Sequence, residues 1–152
     1  MNRAPTKLRL KILSDPANLA GVRQAIETLC ADNGFGAKAC DDIGLCVNEA
    51  LANVIRHAYD GAEDKPIDVT AELNDSQDAD GTVHLKIRDW GKGVNPQQEL
   101  PPAPSRDPLK PGGLGLICLR QMMDSVVFTP QPDGMLLEMT RRKNNRPDVA
   151  SK

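Results

Sequence analysis

Asp41-Asp42-Ile43-Gly44-Leu45-Cys46-Val47-Asn48-Glu49-Ala50-Leu51-Ala52-Asn53-Val54-Ile55-Arg56-His57-Ala58-Tyr59 decides how the rest of this chain is read. Ile43, Val47, Leu51, Val54 and Ala58 recur at helical spacing, so a helix is expected from Ala37 to Tyr59, with Asp60-Gly61 as its stop. Glu49, Asn53 and Arg56 fall on the opposite side from that apolar stripe. A four-residue spacing stacks the Glu49 carboxylate and the Asn53 carboxamide one turn apart on one face. A charged group beside an amide oxygen suits a hard, octahedral cation that also takes phosphate ligands. Alone, such a pair is most often a solvated helix face, although Asn is a poor residue for a helix interior. Its meaning depends on what the rest of the chain brings to it.

Working outward, Thr6 to Leu13 alternates Leu8, Leu10 and Ile12 with Lys7, Arg9 and Lys11, the pattern of a half-buried strand. Ser14-Asp15-Pro16-Ala17-Asn18 offers several N-caps for a helix reaching about Asp32 and ending before Gly34. Pro66 to Asn74 and Thr82 to Trp90 both alternate, and the polar stretch Asp75 to Gly81 between them predicts a hairpin. Residues 91–112 are rich in proline and glycine. A structureless stretch of that length within a compact domain is commonly a lid, a binding loop or disorder. Gly113 to Asp124 reads as a short helix. Ser125 to Thr129 and Met135 to Arg141 read as a last hairpin about Pro132-Asp133-Gly134. The expected fold is α+β, a two-layer sandwich of an antiparallel or mixed sheet with helices on one face, in one domain.

The chain has 152 residues and only four aromatic side chains, Phe35, Tyr59, Trp90 and Phe128, so aliphatic residues and methionine must build the core. A net charge of −2 gives no electrostatic reason to expect nucleic acid. No apolar run is long enough to span a bilayer and no secretory leader opens the chain, so a cytoplasmic location is the expectation. Cys30, Cys40, Cys46 and Cys118 show no zinc spacing, and three of them sit on apolar helix positions, as reduced, packed thiols would. The basic run Arg141-Arg142-Lys143-Asn144-Asn145-Arg146 reads as a solvated end, with 142–152 a flexible tail.

Two further clusters carry chemistry. In Arg88-Asp89-Trp90-Gly91-Lys92-Gly93, strand alternation puts Asp89 in phase with Val83, Leu85 and Ile87. Its carboxylate should therefore point to the apolar side, which is costly unless a donor meets it. An exocyclic amine on a base, with a water, would be such a donor. Gly91 and Gly93 would let the backbone approach a ligand closely. Pro111-Gly112-Gly113-Leu114-Gly115-Leu116 opens a helix, where backbone N–H groups and the dipole can hold phosphate. It lacks the Gly-Lys-Ser/Thr of a Walker loop and the third glycine of a dinucleotide fingerprint.

Taken in order, these clusters resemble the GHKL ATP-binding fold (the Bergerat fold of histidine kinase-like ATPases). Within it, the chain most resembles the anti-sigma factor serine/threonine-protein kinases. The resemblance rests on Asn48-Glu49-Ala50-x-x-Asn53-x-x-x-His57-Ala58-Tyr59, Asp89-x-Gly91-x-Gly93 and Gly113-Leu114-Gly115-Leu116, and it spans about 6–141. It implies ATP and Mg²⁺ as cofactors, with Asn53 on the metal, Asp89 on the adenine amino group, and Gly91 and Gly93 beside the base. Residues 94–112 would form the ATP lid, and Gly113, Leu114 and Gly115 would hold phosphates. Glu49 would be the general base. The implied partners are a sigma factor and a small anti-anti-sigma antagonist, with homodimers common among such kinases and no direct contact with nucleic acid or membrane.

Length favours the stand-alone kinases over gyrase-like ATPases, which need further domains. His57, inside the nucleotide-site helix, is unsuited to be a phosphoacceptor and is expected to hydrogen-bond locally. There are departures from the family pattern. Pro111 stands where an arginine commonly reaches the γ-phosphate, leaving Lys110 or Arg106 to substitute, and lysine offers a point charge rather than a fork. Gly134-Met135-Leu136 replaces a segment that often carries a threonine. A nucleotide-binding anti-sigma adaptor without significant kinase activity is therefore the alternative reading.

Overall fold

The computed structural model describes residues 6–74, 81–91 and 119–143. Strands β1 (Lys7–Leu13), β2 (Pro66–Asn74), β3 (Thr82–Asp89), β4 (Ser125–Gln131) and β5 (Gly134–Arg142) form one five-stranded sheet in the order β1-β2-β3-β5-β4. Every pairing among them is antiparallel, so the mixed alternative is set aside. Helices α1 (Leu19–Asp32) and α2 (Ala37–Asn53) intervene between β1 and β2. A single helix between neighbouring strands would return the chain in parallel; two successive helices return it antiparallel. Residues 119–122 are helical, the described part of the helix expected to end at Asp124.

Alternation in the strands sets which face is covered. Ile67, Val69, Ala71 and Leu73 of β2 and Val83, Leu85 and Ile87 of β3 are buried beneath the helices. Val22, Ile26 and Leu29 of α1 and Ile43, Val47 and Leu51 of α2 meet them from above in one continuous core. With so few aromatics, Met123 and Met139 fill that core alongside the aliphatic residues. Cys30, Cys40 and Cys46 are buried thiols outside any disulfide, and burial pushes the Cys30 thiol up to about 12. Cys118 lies outside the described residues.

The entry to α1 uses two of the expected caps differently. Asp15 caps a 3₁₀ turn (Pro16–Asn18) by accepting from the Ala17 amide at 2.9 Å. Ser14 is fully buried and works at long range. Its hydroxyl donates to the Ala62 carbonyl at 2.6 Å and accepts from the Lys65 amide at 3.1 Å, tying β1 to the approach of β2.

Beyond Asn53 the helix continues as a π-helical turn, Val54–Ala58. This corrects the apolar stripe: Ile55 and Tyr59 are buried, whereas Val54 and Ala58 are only partly so. Core residues thus fall at 43, 47, 51, 55 and 59. A strict four-residue repeat drifts by about 40° per step in an α-helix, and the wider π turn returns Ile55 and Tyr59 to the core side. The turn ends where expected, at Asp60 and Gly61, with φ of 53° and 85°.

The basic end needs a second correction. Arg141 is only 5% exposed. Its Nη1 donates to Asp42 Oδ2 at 3.1 Å and to the Met122 carbonyl at 2.8 Å, joining β5 to α2 and to the helical residues 119–122. Arg142 also belongs to β5, with its amide on Asp124 Oδ2 at 2.6 Å, so no tail begins there. Residues 144–152 lie outside the described residues. Removing one member of a buried pair leaves the other uncompensated. Asp42→Ala should therefore cost about 3 kcal/mol of unfolding free energy in chemical denaturation. The double replacement Asp42→Leu with Arg141→Met should recover most of it.

Candidate functional site

The site is assembled where the end of β3 meets the end of the long helix. The two are locked at atomic contact. A Cβ added to Gly91 would lie 2.4 Å from the Ala58 carbonyl oxygen, so only glycine fits there. The contact that demands glycine at position 91 is thus with the helix end, and its φ is not positive. Beside it, the Tyr59 hydroxyl donates to the Pro66 carbonyl at 2.6 Å and accepts from the Trp90 amide at 2.8 Å. One phenol thus ties the π turn to the start of β2 and the end of β3. Burial raises the Tyr59 hydroxyl above its ordinary value, the Trp90 amide opposes this, and neighbouring Asp89 adds to it.

Asp89 points where alternation places it, on the helix-covered side, and is 3% exposed. Its Oδ1 accepts from the Gly91 amide at 2.9 Å. Burial raises its carboxyl above the ordinary 3.8, while the amides of Gly91 and Met135 and the charge of Arg88 pull it back. A carboxylate has about four acceptor positions. The Gly91 amide takes up one of them and leaves capacity for a further donor.

Across the junction, Glu49 and Asn53 are half-buried on α2. Among the described residues the Glu49 carboxylate has no hydrogen-bond partner. Asn53 Oδ1 accepts from Arg56 Nη2 at 3.3 Å, and Arg56 Nε is buried without a partner. The end of the helix therefore presents an amide oxygen, a carboxylate and a guanidinium whose hydrogen bonding is incomplete. His57 is exposed and makes no hydrogen bond among the described residues, so the local bond expected of it does not form. Gly93, the stretch 94–112 with Lys110, and Gly113, Leu114 and Gly115 lie outside the described residues.

Sequence reasoning singles out Glu49, Asn53 and Asp89 but gives no role to Tyr59, Arg56 or Arg88. Arg56 carries a signal, since it shares the helix face of Glu49 and Asn53. Tyr59 stands in the motif that carries the resemblance and Arg88 heads the Asp89 cluster, but their bonds to Trp90 and Asp133, 31 and 45 residues away, have no local signature.

Residues 12–141 match the family model of the histidine kinase-like ATPase domain. The chain is 30% identical over 142 residues to an anti-sigma F factor of Clostridium botulinum (strain Eklund 17B / Type B), covering 92% of this chain and 90% of that protein. It is 28% identical over 150 residues to the serine-protein kinase RsbW of Bacillus licheniformis, covering 95% and 90% of the two. Its fold is like that of a Mycobacterium tuberculosis crystal structure of RsbU and RsbW domains, with TM-score 0.66 and 18% identity, over 95% of this chain and 35% of that one.

The raised carboxyl of Asp89 sets a sign for stability. Between 3.8 and its higher native value, the folded protein holds a proton that the unfolded chain has released. Stability is therefore lost as pH rises through that window and stays lower above it. Asp89→Asn should flatten this dependence and raise the denaturation midpoint at neutral pH, measured on the ligand-free protein. A lower midpoint would contradict the assigned cause.

Proposed function

The chain belongs to the histidine kinase-like ATPase domain family, and on that premise we propose that it is an anti-sigma factor which uses ATP to phosphorylate a serine or threonine of a small antagonist protein. The observation that carries this reading is the buried Asp89 carboxylate, with acceptor capacity to spare, locked by Gly91 and Tyr59 against the helix end that bears Glu49 and Asn53. A buried carboxylate of this kind fits the amino group of adenine. The unpartnered Nε of Arg56 beside Asn53 fits a polyanion at the same helix end.

When bound, Mg-ATP supplies an activated phosphoryl group, whose transfer depends mainly on positioning and charge neutralisation. The chain's own groups divide the remaining work. Asp89 accepts from the base and orients it, with Gly91 holding the strand end in place. Asn53 would offer its carboxamide oxygen to Mg²⁺, beside the Arg56 Nη2 that donates to the same oxygen. Glu49 accepts the proton from the attacking hydroxyl. Its carboxylate is uncommitted among the described residues and stands one turn from Asn53, as a general base here requires. The phosphate-holding roles of Gly93, Lys110, Gly113, Leu114 and Gly115, and the lid at 94–112, rest on the family resemblance.

A sigma factor and the antagonist are the protein partners in this reading, which is also compatible with a homodimer. Among the described residues no helix is long and apolar enough to cross a membrane. The cytoplasm, where sigma factors act, is the proposed location.

Glu49→Gln should keep Mg-ATP affinity while transfer of labelled phosphate to an antagonist falls by about 10²- to 10⁴-fold. Unchanged transfer would remove Glu49 from the base role. A wild-type protein that binds ATP but labels no antagonist would be an adaptor.

A further inference from the structure

Arg88, on the strand that carries Asp89, reaches across to the turn joining β4 to β5. It sits on the open face of the sheet, opposite the helices, in register with Asp68 on β2 and Leu136 on β5. Its Nη1 donates to the Asp89 backbone carbonyl, and its Nη2 donates to Asp133 Oδ1 at 2.6 Å. The guanidinium carbon lies 4.5 Å from the centroid of the Trp90 ring. Three attachments therefore hold one planar group. A planar fork with five donors can make all three at once, whereas an ammonium offers a single compact charge.

The turn is built to meet this fork. A Cβ on Gly134 would lie 2.0 Å from the Asp89 carbonyl oxygen and 2.6 Å from Arg88 Nη1. The turn backbone thus packs directly on Asp89, with no side chain between them. Next along the chain, Met135 stands directly opposite Asp89 in the pairing of β3 with β5. The backbone on either side of the buried carboxylate is accordingly set by Arg88 and the turn at one side and by Gly91 and Tyr59 at the other.

We propose that Arg88 is a positioning residue for base recognition: anchored on Trp90 and Asp133, it fixes the Asp89 backbone so that the carboxylate is aimed at the amino group of an aminopurine nucleotide. This rests on the nucleotide reading of the site given above. Arg88 reaches the other face of the sheet only through the Asp89 backbone, and its charge also opposes the effect of burial on the Asp89 carboxyl. An ionised carboxylate accepts hydrogen bonds only, so it favours the amino group of adenine over the carbonyl of hypoxanthine at the same position.

The test is a titration of the full-length protein with Mg-ATP and, separately, Mg-ITP, which carries a carbonyl in place of the amino group. Wild type should prefer ATP by about 10- to 100-fold, the range for one hydrogen bond to a charged group. Arg88→Met should weaken ATP by about tenfold or more and leave ITP nearly unchanged, so the preference collapses. Arg88→Lys, which keeps the charge and loses the fork, should fall between the two. Asp133→Ala removes only the outer anchor, a side chain 63% exposed, and should lower the preference in part. It carries the test together with Arg88→Lys if Arg88→Met does not fold. A preference unchanged in these variants, or an equal loss for both nucleotides, overturns the positioning role. A wild-type protein that binds neither nucleotide overturns the nucleotide reading, whereas one that binds both equally overturns recognition of the amino group by Asp89 and the role of Arg88 with it.

Discussion

Everything at this site depends on a contact with no room for a side chain: the backbone of Gly91 against the carbonyl of Ala58. It forces the end of β3 onto the end of the helix, so that groups read from two distant stretches of sequence share one place. The Tyr59 hydroxyl secures the contact from the side by taking up the Trp90 amide and the Pro66 carbonyl together. The π-helical turn is part of the same device, because its extra width brings Ile55 and Tyr59 round to the core. Turns of this kind are rare and are frequently found at functional sites. Here the turn places the phenol against the sheet while Asn53 and Arg56 stay at its rim.

Two buried carboxylates show how one fold uses charge in opposite ways. Asp42 is answered by the guanidinium of Arg141, which also takes up the Met122 carbonyl, and the arrangement serves to join β5 to the helical layer. Asp89 is answered mainly by backbone amides, and burial still raises its carboxyl. A carboxylate left short of donors reduces stability, and it is also ready to accept one from outside. Stability is thus lost at the strand end and supported elsewhere by the continuous aliphatic core and the Arg141 tie.

Much of the fold is legible in the sequence because its signals are periodic. The alternation of β2 and β3 specifies which face is buried, and the phase of Asp89 with Val83, Leu85 and Ile87 places a carboxylate on the covered side from spacing alone. Proline and glycine mark the turns at Asp60-Gly61 and Asp133-Gly134. The readings that fail are those where a side chain answers to something far away. Arg141 looks like part of a solvated basic run because its partner is Asp42, with a sequence separation of 99. Val54 and Ala58 look like core only if α-helical phase carries on across the π turn.

The sequence by itself determined the elements, the covered face of the sheet and the identity of the chemical groups, since these follow from local spacing and from the cost of burying polar atoms. Only the tertiary structure decided that the sheet is antiparallel throughout, that Gly91 serves a helix end, and that Tyr59 and Arg88 hold the two sides of Asp89. The bonds that decide those outcomes include Tyr59 to Trp90 and Arg88 to Asp133, 31 and 45 residues apart in the chain, and no local pattern records such pairings.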